Sequence, residues 1–166
     1  MPSRSMWFFS QDLNGNANKK IIDKGYKLVL LNDNSIDELT KKIDLFNISN
    51  IVFDHYSIDY KFEKKVKEKN GTHILSFDDL YKKHYCDILL NHNIYAKAEN
   101  YKNLVPKFCE IRCGKKYTLI RDDFKEVELK KSTNEKKEIK ILISLGATDS
   151  NNIGLKVLKS IIEIKN

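Results

Sequence analysis

Asn50-Ile51-Val52-Phe53-Asp54-His55-Tyr56 is the stretch that decides the fold: a short apolar run that stops abruptly at a carboxylate, an imidazole and a phenol. A run of this length, bounded by polar turn residues, reads as a buried strand. The same signature recurs on either side of it. Lys27-Leu28-Val29-Leu30-Leu31 leads into Asn32-Asp33-Asn34, His73-Ile74-Leu75-Ser76-Phe77 into Asp78-Asp79, and Asp87-Ile88-Leu89-Leu90 into Asn91. Between Cys109 and Cys113, Glu110-Ile111-Arg112 also reads as strand.

Helical patterns separate these runs. Ser35-Ile36-Asp37-Glu38 forms a capping box, in which Ser35 accepts from the Glu38 amide while Glu38 reaches back. Ile36, Leu39, Ile43 and Phe46 then fall on one helical face. Phe62 and Val66 mark a lysine-rich surface helix, closed near Asn70-Gly71 by a left-handed cap. Continuous apolar strands alternating with amphipathic helices predict an α/β fold whose parallel sheet is covered on both faces.

The 166 residues suffice for one ordinary domain and are too few for two full ones. No apolar run approaches the ~20 residues of a membrane helix. Met6 to Phe9 is too short an apolar stretch for a signal peptide, so the expectation is a cytoplasmic protein without membrane contact. Net charge is +7, yet 27 of the 30 basic residues are lysine. They alternate with acids, as in Glu63-Lys64-Lys65-Val66-Lys67-Glu68-Lys69, the pattern of a solvated helix face. Nucleic-acid readers lean instead on the arginine fork, and this argues against a nucleic-acid partner. Cys86, Cys109 and Cys113 read as reduced thiols. With His84 they raise the question of zinc, but a strand between two of them is not a zinc knuckle, so they read as small buried hydrophobes with no metal.

Residues 125–138 break the pattern, with nine of fourteen charged, and read as a linker after an N-terminal domain of residues 1–124. Residues 139–166 open a new unit: Ile139 to Leu145 as strand, Gly146-Ala147-Thr148-Asp149 as turn, then a helix carrying Ile153, Val157, Leu158, Ile161 and Ile162 on one side. One βα unit cannot bury its own sheet face, so this second domain reads as truncated.

Open α/β sheets bind ligands beyond the carboxyl ends of their strands. Two segments with suitable chemistry fall there. Asp54-His55-Tyr56 follows one strand. Gly146-Ala147-Thr148-Asp149 precedes a helix whose first-turn amides are unpaired donors, an anion cradle without the Walker lysine.

Several segments together resemble one family, in order along the chain from about Phe8 onward. They are Ile51 to Tyr56, Ile74 to Asp79, Cys86 to Asn91, Ala96-Lys97-Ala98, Arg112-Cys113-Gly114, Tyr117 to Phe124 and Leu145 to Asp149. The family is that of the nucleotide-sugar hydrolases of pseudaminic acid biosynthesis, which release UDP from UDP-2,4-diacetamido-2,4,6-trideoxy-β-L-altropyranose. The resemblance implies a fold like the GT-B glycosyltransferases, two Rossmann-like halves around a UDP-sugar. It implies displacement at the anomeric carbon by water, with no metal or other cofactor. Tyr56 matches an active-site tyrosine, with His55 and Asp54 in the same motif. Gly146, Ala147, Thr148 and Asp149 match the turn near the diphosphate, whereas Tyr117 and Arg121 fall in a motif read as structural.

Two departures accompany the resemblance. The family opens with a strand and a Gly-x-Gly-His-x-x-Arg segment whose histidine is its main catalytic candidate, and no such motif occurs here. Phe8 to Tyr26 resembles the family's second strand, loop and helix, so the first βα unit reads as absent. Most of the C-terminal half is also missing. The expectation is a partial hydrolase, inactive alone, with a complementary chain as a possible partner. A GT-B glycosyltransferase and a non-catalytic binding fragment are the rival readings, and Asp54-His55-Tyr56 favours the hydrolase.

Overall fold

The computed structural model describes residues 6–33, 35–124, 141–145, 149 and 151–164. The chain divides into two compact units, Met1–Asp122 and Asp123–Asn166.

In the first unit, strands and helices alternate: β1 (Trp7–Ser10), α1 (Asn18–Asp23), β2 (Lys27–Leu30), α2 (Ile36–Leu45), β3 (Asn50–Phe53), α3 (Tyr60–Asn70), β4 (His73–Phe77), β5 (Ile88–Asn91) and β6 (Glu110–Cys113). Every strand pairing is parallel. The fold is therefore α/β with parallel, Rossmann-like sheets, as the alternation of strand and helix signals implies. In β3 and β4, Ile51 sits opposite Ile74 and Phe53 opposite Ser76.

Two expectations need correction. The parallel strands form two sheets rather than one: β1 pairs only with β2, and β3-β4-β5-β6 make a separate four-stranded sheet. Nor is the larger sheet covered on both faces at its β3 edge. Strand residues point alternately to opposite faces, so Phe53 enters the core while Val52 remains 59% exposed.

The core lies between the larger sheet and the helices α2 and α3, which pack on each other. Leu39 and Ile43 of α2 meet Phe53, Val66, Ile74 and Leu89 there. Each such aliphatic side chain contributes about 2 kcal/mol by leaving water. Ser35 caps α2 by accepting the Glu38 N–H at 3.2 Å. The other half of the expected capping box is replaced. Glu38 accepts instead from the N–H groups of Asn32 (3.1 Å) and Asp33 (2.9 Å), while the Ser35 N–H donates to Asp33 (2.7 Å). Asp59 caps α3 at the Phe62 N–H, 2.9 Å away, and Gly71 closes that helix at φ +65°.

In the second unit, α4 (Ile153–Glu163) is the described helix, and its apolar residues Ile153, Val157, Leu158 and Ile162 are exposed. The strand expected over residues 139–145 is not formed by 141–145, since a strand needs a paired neighbour and the described residues here supply none. Residues 139–140, the charged segment 125–138 and the turn residues Gly146, Ala147 and Thr148 lie outside the described residues.

Candidate functional site

Where β3 stops, the chain turns outward and exposes Asp54, His55 and Tyr56. Tyr56, 70% exposed, donates its O–H to Asp79 Oδ2 at 3.0 Å. The pairing follows from parallel register: Phe53 sits opposite Ser76, and each partner of the hydrogen bond lies three residues further along its own strand. Lys82 adds a second tie. Its ammonium donates to the Tyr56 carbonyl at 3.3 Å and stands 5.7 Å from the Tyr56 ring centroid. The carboxyl ends of β3 and β4 thus form one joined edge.

Charge at this edge fixes what each group can do. The hydrogen bond from Asp79, and then its negative charge, push the Tyr56 phenol above its ordinary pKa. Tyr56 therefore stays protonated near neutrality and acts as a donor, not as a base. His55 Nδ1 accepts the Ser57 N–H at 3.2 Å and lies 2.8 Å from Ser57 Oγ. That contact leaves the proton of a neutral imidazole on Nε2. Among the three residues singled out from the sequence, Asp54 is the carboxylate.

Behind the edge lies a buried polar network that sequence reasoning did not identify. His84, only 5% exposed, places Nδ1 2.8 Å from Glu63 Oε1 and Nε2 3.5 Å from Asp78 Oδ1. Ser76 and the Tyr85 N–H also donate to the fully buried Glu63. Tyr101 donates to Asp78 Oδ2 at 2.7 Å and accepts from Asn91 at 2.9 Å. Burial alone would lower the His84 pKa. The close Asp78 carboxylate and the hydrogen bond to Glu63, with the negative charge of both, outweigh it and push the value up to about 9. Burial works against the Asp78 carboxylate too, but His84 and Tyr101 hold it below the ordinary range. Asp78 also accepts the backbone N–H of Lys82 at 3.2 Å. The network therefore anchors the segment that presents Asp79 and Lys82 to Tyr56.

The second candidate segment is described only at Asp149. Its carboxylate accepts the Ile153 N–H at 2.7 Å and the Gly154 N–H at 2.8 Å. Two of the first-turn amides expected to face an anion are thus capped by the chain itself. Among the described residues, no cluster of three or more His, Cys, Asp or Glu side chains is placed to hold a metal ion. Cys86 and Cys109 stand with sulfurs 3.7 Å apart, and the hydrogen bond between them, with burial, pushes the Cys86 thiol up. A cavity of about 430 Å³ lies at the opposite, amino ends of β4, β5 and β6, lined by His73, Asp87, Ile88 and Glu110. Asp87 there is bonded to Lys67 at 2.6 Å and to the Ile74 N–H at 2.8 Å, a brace between α3 and the sheet. No described helix is long and apolar enough to cross a membrane.

No protein-family model matches the chain. A protein of Methanocaldococcus jannaschii described only as uncharacterized is 28% identical over 149 residues, which is 87% of this chain and 30% of that protein. The UDP-2,4-diacetamido-2,4,6-trideoxy-beta-L-altropyranose hydrolase of Campylobacter jejuni is 42% identical over 140 residues, 84% of this chain. The chain spans half or less of the length of the curated relatives it matches. The resemblance carried by its motifs is therefore shown as that of a partial chain: over most of its own length it is similar to about half of the Campylobacter hydrolase.

Proposed function

We propose that this chain is part of a cytoplasmic nucleotide-sugar hydrolase of pseudaminic acid biosynthesis, one that releases UDP from UDP-2,4-diacetamido-2,4,6-trideoxy-β-L-altropyranose. The observation that carries the reading is the Tyr56–Asp79 hydrogen bond at the carboxyl edge of β3 and β4, in a chain 42% identical to a hydrolase of that name. In the reaction, a water oxygen bonds to the anomeric carbon, the bond from that carbon to the diphosphate oxygen breaks, and UDP leaves with the bonding pair. Tyr56, held protonated, donates a hydrogen bond to the sugar or the departing oxygen. His55 offers its Nε2–H in the same direction, and Asp54 lies beside them as a carboxylate that orients the water. The resemblance assigns Gly146-Ala147-Thr148-Asp149 to binding the diphosphate, and of these Asp149 caps the first turn of α4.

A water-deprotonating base is not supplied by Tyr56 or by the Nε2-protonated His55. For that reason the chain alone is proposed to be inactive, and a complementary chain carrying the remaining groups is its expected partner. The test is UDP and free-sugar formation from the UDP-sugar, measured for the chain alone and with the rest of the Campylobacter hydrolase supplied separately. Hydrolysis only in the mixture is expected. Hydrolysis at a full enzymatic rate by the chain alone, or transfer only when an acceptor is added, overturns the proposal.

A further inference from the structure

Two of the three cysteines meet where β5 and β6 begin. Cys86 ends the loop before β5, Cys109 ends the turn before β6, and their sulfurs stand 3.7 Å apart. The backbone fixes this meeting on both sides. Around Cys86, the His84 N–H donates to the Leu104 carbonyl at 2.9 Å and the Asp87 N–H to the Ile74 carbonyl at 2.8 Å. The Cys109 N–H donates to the Pro106 carbonyl at 3.0 Å, and the next N–H, of Glu110, to the Asp87 carbonyl at 2.8 Å. That last bond joins the immediate neighbours of the two cysteines, so their approach belongs to the sheet register that sets Ile88 opposite Glu110. Cys113 closes β6 four residues beyond Cys109, about 13 Å along an extended strand, whereas bridged cysteines keep their Cα atoms within about 7 Å.

The two thiols are unequal. Cys86 is fully buried in the core cluster that holds Val66, Ile74 and Leu89, while Cys109 is partly exposed. The residues flanking Cys109, Phe108 and Glu110, line the cavity of about 430 Å³ at the amino ends of the strands, so small solutes reach this end of the sheet. The hydrogen bond between the sulfurs lowers the Cys109 thiol, against burial and the charges of Asp87 and Glu63, and raises Cys86. Cys86 is thus the donor, and the thiolate forms on Cys109. A reachable sulfur with thiolate character is the one that attacks an oxidant, and a second thiol poised beside it resolves the product.

We infer that Cys86 and Cys109 form a redox modification site, a dithiol that a peroxide converts into an intrachain disulfide and a thiol reductant restores. The Cys109 thiolate attacks one peroxide oxygen; the S–O bond forms, the O–O bond breaks and hydroxide leaves. The Cys86 sulfur then attacks the Cys109 sulfur; the S–S bond forms, the S–O bond breaks and a second hydroxide leaves. The two thiol protons turn both hydroxides into water, so the sulfurs together lose two electrons and the peroxide gains them. The sulfurs close from 3.7 Å to about 2.05 Å, and since both residues lie outside β5 and β6 the strand ladder need not break. In a reducing compartment the pair rests as thiols and bridges while oxidant is present.

The test treats the folded full chain with hydrogen peroxide, alkylates the remaining thiols in denaturant, and reads the intact mass and the peptide map. Loss of two of the three thiols is expected, with a mass lower by two hydrogen atoms before alkylation and a peptide that links Cys86 to Cys109. Dithiothreitol should return all three. Cys113→Ser is expected to lose two thiols as the parent does. Cys86→Ser should stop at a Cys109 sulfenic acid that dimedone traps, and Cys109→Ser should oxidise at Cys86 at least ~10-fold more slowly than the parent. Survival of all three thiols in the folded parent overturns the inference. So does a bridge that uses Cys113 or joins two chains, or a Cys109→Ser variant whose Cys86 is oxidised as fast as the parent's.

Discussion

Tyr56 and Asp79 hydrogen-bond at 3.0 Å across the carboxyl ends of two neighbouring parallel strands. Because the Asp79 carboxylate raises the phenol's pKa, its neutralisation should return Tyr56 toward the ordinary tyrosine value. Subtracting the Tyr56→Phe titration isolates this phenol among the eight tyrosines. The ultraviolet difference titration is then expected to move to lower pH in Asp79→Asn, and an unchanged midpoint contradicts the contact.

His84 gives stability a pH signature. Its pKa rises from 6.5 to about 9 on folding, so the stabilisation is fully present below the unfolded value and is lost as pH climbs through the folded one. The full effect is roughly 3 kcal/mol. Urea midpoints should fall between about pH 6.5 and 9 in the parent, and this fall should be largely absent in His84→Ala. The lowered Asp78 and Asp87 carboxylates act in the opposite direction, adding stability that disappears as pH drops below the ordinary carboxylate range.

Removing one member of the buried network should cost more than its own contacts. Glu63→Ala strands a buried imidazolium and the Tyr85 N–H, a loss of about 3–5 kcal/mol. Because Glu63 and His84 share a contact, Glu63→Ala/His84→Ala should cost clearly less than the sum of the single variants. Chemical denaturation of the four proteins measures that difference, and strict additivity would contradict the network.

Glycine positions separate by what surrounds them. Gly71 and Gly114 both hold positive φ, but a Cβ on Gly71 meets open space, while on Gly114 it lies 2.9 Å from the backbone oxygen of Ala96. Gly71→Ala should cost about 1 kcal/mol, and Gly114→Ala distinctly more, because a backbone carbonyl cannot rotate away as a side chain can. Equal denaturation midpoints contradict this reading.

Much of this architecture was legible in the sequence, because strands such as Ile51–Phe53 and Ile88–Leu90 are continuous apolar runs and the faces of α2 and α3 follow helical spacing. The strand-end position of Asp54-His55-Tyr56 was legible for the same reason. The pairing of Tyr56 with Asp79 was not, since it depends on strand register, which no local pattern specifies before β3 and β4 are aligned. Asp78 and Asp79 were visible as residues after a strand, yet nothing local distinguishes a turn from a site. Glu63 and His84 were hidden differently. Glu63 sits in a lysine-rich run that reads as solvated, but the turn of α3 aims it into the core, where His84 arrives from 21 residues away. The split of the sheet into two was not legible, because periodicity identifies strands but not their neighbours.

The central claim is that the joined edge of β3 and β4 forms one wall of a UDP-sugar site that this chain does not complete alone. It is tested most directly by the rate of UDP release from UDP-2,4-diacetamido-2,4,6-trideoxy-β-L-altropyranose by the chain complemented with the remainder of the Campylobacter hydrolase, comparing the parent with Tyr56→Phe. The account predicts release by the complemented parent and a rate lower by about 100-fold in the variant. Equal rates for the two would contradict it.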